Sequence, residues 1–213
     1  METNAKLDDV QEINKPRVYD SEGILSVPPA MWINEICYIK NVLLELSRKN
    51  DFLNILEWGS GNSTIHFSKF LKERMIGFKW VAMEHFLPWY NEVVDLIKEH
   101  DFGANVEYFL KNPTDEPDKV IQETLNLSEY INFPVLLNRK FNLIIVDGRK
   151  RQECLKLAST ILAPGGIVIL HDAERPEYHD GFRFYLHGGD FVISNISPVS
   201  RGGIQKLWIG GID

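Results

Sequence analysis

The chain has 213 residues, 44% of them hydrophobic and 25% charged, which supports one domain with a sizeable core. Its formal net charge of -7 argues against nucleic acid as the main partner, because a phosphate backbone attracts a basic face. Two cysteines are too few for a disulfide framework, the polar N-terminus has no apolar signal region, and no apolar run approaches the roughly 20 residues of a membrane helix, so the expected setting is the cytoplasm, with no membrane partner.

Residues 1–28 lack periodicity and carry scattered prolines, and read as an N-terminal arm ahead of a single domain over 29–213. From Pro29, apolar residues fall at helical spacing through Trp32, Ile36, Ile39, Val42, Leu43 and Leu46. "FLNILEW" predicts a short buried strand, and "NSTIHFSKFLKER" a helix. "FKWVAMEH" predicts a second strand, "PWYNEVVDLIKEH" a helix with Trp89, Val93, Val94 and Ile97 as its apolar stripe, and "NVEYFL" a third strand. Residues 112–140 open with a polar, proline-bearing loop, and "VIQETLNLSEYI" reads as a short helix or a surface excursion; a segment this long between strands suits a functional insertion. "FNLIIVDG" is apolar enough for a central parallel strand buried on both faces. "RQECLKLASTIL" predicts a helix, "APGG" a turn and "IVILHD" a strand. "DFVISNIS" and "QKLWIGG", joined by "SRGGI", predict a terminal antiparallel hairpin. Strand and helix alternate from residue 53 to about 171, which predicts a doubly wound, mostly parallel α/β sheet of the Rossmann type.

In such a sheet, ligands bind where strand carboxyl ends meet helix N-termini. "EWGSGNST" sits at that point after the first strand, with Gly59 and Gly61 expected to allow positive φ and close approach, and Asn62, Ser63 or Thr64 to cap the helix. Glu57 precedes the glycines, where a pyrophosphate would be repelled and a cationic amino-acid ligand attracted. Glu84 ends the next strand, where an acid can accept both hydroxyls of a ribose, and Asp147 ends a later one. The three acids are expected to line one rim of the sheet, which fits a ligand with an adenosine and an ammonium better than a dinucleotide.

These residues resemble a class I S-adenosylmethionine-dependent methyltransferase: "EWGSGNST" is similar to the family's first glycine motif, and Glu84 to its ribose-binding acid. A narrower resemblance, to a methyltransferase-like group, rests on "LEWGSGNST", "MEHFLPWYNEV", "FNLIIVDGRKRQECLKLA" and "IVILHDAERPEYHD", four motifs in order over about residues 53–181. It implies a seven-stranded sheet with an antiparallel last strand. It also implies S-adenosylmethionine as cofactor, held by Glu57, Gly59, Ser60, Gly61, Asn62, Ser63, Glu84, His85 and Asp147.

On the acceptor side the candidates are His171, Asp172, Arg175 and Tyr178 in "LHDAERPEY". His171 titrates in the range of a general base, and Asp172 could orient it or bind a cation. Asp147 is expected near the methyl group, with Arg149 or Arg151 gripping an acidic substrate. Catechol-type O-methyltransferases hold a metal through an Asp-Asn pair after the later strand; here Ala173 follows Asp172, so no metal is expected. Trp32 and Trp89, each on an apolar stripe, are expected in the core. The expected reaction is O-methylation of a small molecule or saccharide, with a second copy of the chain as the macromolecular partner entertained. The alternatives are a nicotinamide-dependent oxidoreductase, opposed by Glu57 and by Thr64 in the place of a third glycine, and a non-catalytic cofactor-binding protein of the same fold.

Overall fold

A computed structural model describes residues 29–196 and 204–212; the expected N-terminal arm and the turn of the terminal hairpin lie outside these residues. The strands are β1 (Leu53–Trp58), β2 (Phe78–Phe86), β3 (Val106–Thr114), β4 (Phe141–Val146), β5 (Leu162–Leu170), β6 (His187–Ile196) and β7 (Ile204–Gly211). The helices are α1 (Ile33–Lys49), α2 (Asn62–Glu73), α3 (Leu87–Glu99), α4 (Lys119–Thr124), α5 (Ser128–Leu136) and α6 (Arg151–Ile161), with a 3₁₀ segment over Pro176–Phe184. One sheet forms in the order β3-β2-β1-β4-β5-β7-β6. Strands β1 to β5 pair in parallel, and β7 runs antiparallel to both β5 and β6. The fold is therefore Rossmann-like, mostly parallel, and closed by an antiparallel hairpin.

Period-two alternation decides which face each strand residue buries. Leu143 and Ile145 pack with Ile39 and Leu43 of α1, Phe67 of α2 and Val93 of α3. Ile144 and Val146 pack on the other face with Tyr130 of α5, Cys154, Leu155 and Ala158 of α6, and Trp208 of β7. Both faces of β4 are thus buried, which explains its unbroken apolar run. Among the described residues no helix is long and apolar enough to cross a membrane.

Several local expectations change. Strand β3 runs on to Thr114, past the predicted end at Leu110, because Phe86 of β2 pairs with Thr114 across an irregularity. Residues 112–140 carry α4 and α5, so the insertion is helical over much of its length. "APGG" lies within β5, but as an outward loop: Phe141 pairs with Leu162 while Leu143 pairs with Ile167, and Gly165 takes φ +67 between them. Trp32 is the half-buried N-cap of α1 and not part of its buried stripe.

The chain winds outward from β1 through β2 to β3, then crosses back to β4 on the other side of β1. The switch point between β1 and β4 is where a crevice opens in this architecture. It is framed by the turn after β1 and the turn after β4.

Candidate active site

The two turns touch. Gly59 has φ +85, and a Cβ placed there would lie 2.4 Å from the backbone nitrogen of Gly148. A Cβ on Gly148 would lie 1.9 Å from the Tyr130 hydroxyl. Only glycine fits either position, so the backbones meet with the α5 tyrosine directly over them. The Tyr130 hydroxyl is fully buried and finds no hydrogen-bond partner among the described residues. Gly61, expected at positive φ, is instead extended at φ 162. What requires a glycine there is Trp89, whose ring would stand 3.0 Å from a Cβ and whose indole N–H donates to the Ser60 carbonyl at 2.8 Å. Trp89 covers the glycine turn and also packs on the core.

Glu57 is not on the rim. It is 0% exposed and lies under the start of α2, accepting hydrogen bonds from the Ser63 hydroxyl, from Thr64 Oγ1 at 2.5 Å and from Trp80 Nε1 at 2.9 Å. Burial drives its pKa from 4.5 up to about 7, against the pull of those three donors and with a push from Asp147. Its role in the turn is to fix the first residues of α2. Thr64 serves the same end, since its hydroxyl oxygen also accepts from the Gly61 N–H at 3.1 Å. Asn62 opens α2, half-exposed.

Glu84 is buried at the end of β2. One carboxylate oxygen accepts from the backbone N–H groups of His85 and Phe86 at 2.8 and 2.9 Å; the other accepts from Ser60 Oγ at 3.0 Å. Ser60 also bonds the Tyr108 hydroxyl at 2.7 Å, which joins the glycine turn to β3. His85 points under α4, with Nε2 3.2 Å from Gln122 Oε1 and its ring edge-on to Tyr130. Gln122 accepts in turn from Arg149 Nε at 3.1 Å, so Arg149 anchors the insertion.

At the ends of β4 and β5 the chemistry is ionic. Arg151 is 5% exposed and every N–H is accounted for: Nε donates to the Gly148 carbonyl (2.9 Å), Nη1 to the His171 carbonyl (2.5 Å), Nη2 to the Asp147 carbonyl (2.9 Å). Its remaining N–H groups meet the Asp147 carboxylate at 3.1 Å and the Asp172 carboxylate at 3.3 Å. The expected substrate-gripping arginine is thus a clamp that ties two loops together. The polar atoms of Asp147, His171 and Asp172 lie within 4.8 Å of one another, close enough to hold a metal ion among them, and the Arg151 guanidinium stands against both carboxylates. Asp172 takes φ +52, a left-handed conformation that its ion pairs with Arg151 and with Arg175 (2.9 Å) hold in place. Tyr178 lies 8% exposed on the 3₁₀ segment, with its ring over Arg151 and its hydroxyl 3.4 Å from Arg175.

His171 is 6% exposed. Nδ1 stands 3.0 Å from Asp147 and 3.4 Å from Asp172, and Nε2 stands 3.4 Å from Glu35. Burial opposes its charge, but Asp147, Glu35 and Asp172 outweigh burial and raise its pKa well above 6.5. The general base expected from sequence is a buried ring whose charged form the three surrounding carboxylates favour. Asp147 mirrors it: burial raises its pKa, and His171 and Arg151 overturn that and lower it. Sequence reading missed Glu35, Gln122 and Tyr130. Glu35 and Tyr130 occupy ordinary positions on helices, and nothing in their local pattern marks them; Gln122 lies in the insertion.

All the expected cofactor residues thus gather at the ends of β1, β2 and β4, and the acceptor-side residues at the end of β5 beside Asp147. A cavity of about 490 Å³ is lined by Leu125, Leu127, Ile131 and Leu157 with Lys150 and Lys156, and contains none of these residues.

Known folds agree with this arrangement. A cofactor-bound protein from MTB, Rv0187, is 15% identical, with 98% of this chain and 88% of that one covered at a TM-score of 0.56. A precorrin-6y C5,15-methyltransferase from Geobacter metallireducens is 12% identical, with 92% and 97% covered at 0.54. An O-methyltransferase from Bacillus cereus in complex with SAH is 13% identical, with 99% and 92% covered at 0.52. These likenesses show the fold. No curated protein sequence matches the chain. The sequence profile of a methyltransferase domain matches residues 56–173, which is more than half of the chain and spans both glycine turns and the Asp147–His171–Asp172 cluster. The chain belongs to that methyltransferase-domain family.

Proposed function

We propose that the protein is an S-adenosylmethionine-dependent methyltransferase acting on an oxygen of a small molecule or saccharide. The observation that carries the cofactor is the Gly59–Gly148 contact at the switch point, flanked by the Glu84 and Asp147 carboxylates. The residues fit the group. Neither glycine accepts a side chain, Glu84 is held by its backbone bonds with Ser60 as a displaceable partner, and the buried Tyr130 hydroxyl beside Gly148 lacks a hydrogen-bond partner among the described residues. Glu84 would hold the ribose, the Gly59–Ser63 turn and Asp147 the amino-acid portion, and Glu57 the shape of the turn. Bound there, the cofactor supplies an electrophilic methyl group on a sulfonium.

The chain's own work is to align the acceptor, exclude water and receive a proton. His171 can take the acceptor's hydroxyl proton only after losing its own, so activity on an oxygen acceptor should rise with pH through a midpoint well above 6.5. Asp172 and Arg175 border the same space.

Calorimetric titration with S-adenosylhomocysteine, with NAD as comparison, tests the reading. Micromolar binding of the first, lost in Glu84→Ala, is the expected result. Binding of NAD in its place would establish the oxidoreductase alternative. Binding of S-adenosylhomocysteine without turnover of any acceptor would favour a non-catalytic relative.

A further inference from the structure

Arg149 and Arg151 follow β4 and Arg175 follows β5, and of the three only Arg175 has donors to spare. Arg151 is saturated by three backbone carbonyls and two carboxylates. Arg149, with a side chain 17% exposed, is committed to Gln122 at 3.1 Å and to Glu123 at 3.6 Å. Arg175 keeps 45% of its side chain exposed. Its Nη2 pairs with Asp172 at 2.9 Å and its Nη1 donates to the Tyr178 hydroxyl at 3.4 Å; the other guanidinium N–H groups have no partner among the described residues.

The backbone that carries this side chain is tightly held. The Arg175 N–H donates to the Asp172 carbonyl at 3.2 Å, and the Arg175 carbonyl accepts from the Tyr178 N–H at 3.2 Å. On the other flank, the Ala173 N–H donates to the Lys206 carbonyl at 2.8 Å and the Glu174 carboxylate accepts from the Lys206 N–H at 3.0 Å, which ties the turn to β7. The turn starts at Asp172 in the left-handed region, at φ +52. A strained turn, fixed from both flanks, thus presents a cation that is open to solvent and only partly used.

We propose that Arg175 selects an acceptor that carries a carboxylate beside the hydroxyl to be methylated, a hydroxy acid. The role rests on the methyl-transfer reading. A guanidinium fork with free N–H groups holds a carboxylate through charge-assisted hydrogen bonds of fixed geometry. Asp172 and Asp147 already bring two negative charges to this rim, which opposes a phosphate dianion more than a carboxylate monoanion. Asp172 also sets the direction. One of its oxygens pairs with Arg175 and the other lies 3.4 Å from His171, which stands 3.0 Å from Asp147. An acceptor gripped at Arg175 therefore lies along the edge that carries Asp147, at the switch-point crevice. Arg175 falls outside residues 56–173, as expected of a residue that serves this chain's own acceptor and not the shared cofactor.

Nitrogen-15 NMR of the full chain tests this, with and without S-adenosylhomocysteine. The signals followed are the Arg175 side-chain N–H, assigned with Arg175→Gln, and the amides of residues 172–175. The probe is glycolate, the smallest hydroxy acid, with glycolamide as its neutral twin and inorganic phosphate as the competing anion, all at one sodium chloride concentration. Glycolate should move these signals saturably and glycolamide should not. In Arg175→Gln the glycolate affinity read from the amides should fall tenfold or more, and Arg175→Lys should recover part of it, because the charge remains while the fork is lost. Absence of a saturable shift with glycolate, an equal response to glycolamide, or tighter binding of phosphate overturns the proposal, and these three arms need no variant to fold. Undiminished glycolate binding in folded Arg175→Gln overturns it as well. Calorimetry with S-adenosylhomocysteine separates the two claims. Glycolate binding at Arg175 without S-adenosylhomocysteine binding leaves the carboxylate site standing and sinks the methyltransferase reading; the reverse keeps that reading and sinks the hydroxy-acid assignment.

Discussion

Two carboxylates end neighbouring strands and meet opposite fates. Glu57, near the end of β1, is sealed under α2 among neutral donors, and burial lifts its pKa to about 7. Asp147, just past the end of β4, keeps 23% side-chain exposure and faces His171 and Arg151, which hold its pKa down despite burial. Both are acids near the carboxyl end of a central strand followed within two residues by a glycine, and the Asp147 N–H even donates to the carbonyl of Trp58, the residue after Glu57. The difference is in the partners. Neutral donors lower the cost of a buried charge without abolishing it, whereas a fixed cation makes the charge the stable form. The first arrangement builds a turn and the second an ionic cluster at the end of β4.

The largest way to break this contrast is to remove the cation. Arg151→Leu leaves Asp147 and Asp172 facing each other and frees three backbone carbonyls, so chemical unfolding should show a loss of about 3–5 kcal/mol, the usual result of stripping one partner from a buried ionic network. Arg151→Lys should recover little of it, because an ammonium cannot reach five acceptors in a planar fork.

Glu57→Gln comes next, and its effect depends on pH. The folded pKa of Glu57 lies above its unfolded value, so protonation favours the native state below 4.5 and that advantage is lost as pH rises to about 7. Relative to Glu57→Gln, the unaltered protein should therefore gain stability as pH falls from 8 to 5, by up to about 3 kcal/mol. Parallel curves for the two proteins in thermal unfolding would show that Glu57 is ionised throughout.

Asp147→Asn sharpens the other half of the comparison. His171 has a raised folded pKa, so the stability it contributes is fully present below 6.5 and disappears as pH rises through the folded value. Without Asp147 that alkaline decline should start at lower pH, and an NMR titration should place the His171 midpoint closer to 6.5. The smallest change is expected from Arg175→Ala. Its side chain is 45% exposed, so the pair with Asp172 should contribute no more than about 1 kcal/mol to unfolding.

Much of the frame was legible from local pattern. Apolar runs at 53–58 and 141–146 announce strands buried on two faces, and the glycines after them announce turns that must pass close to something. Glu84 and the His171–Asp172 pair could be placed on one edge of the sheet because in parallel α/β units every strand's carboxyl end points the same way. Local pattern failed where partners came from far along the chain. Nothing near Glu57 in sequence says that Trp80 will cap it, and nothing in "INEICYIK" says that its glutamate will reach the end of β5. The alternation of strands and helices and the switch point thus follow from the sequence by itself, through hydrophobic period and chain direction, whereas distant partners such as Tyr130 and Trp89 set the need for glycine at 148 and 61. Which carboxylate is sealed and which is paired with a cation, that Arg151 ties two loops together, and that carboxylates surround His171 were decided by tertiary structure. The reason is electrostatic: the charge state of a buried group depends on partners within a few ångströms, and folding alone determines who those partners are.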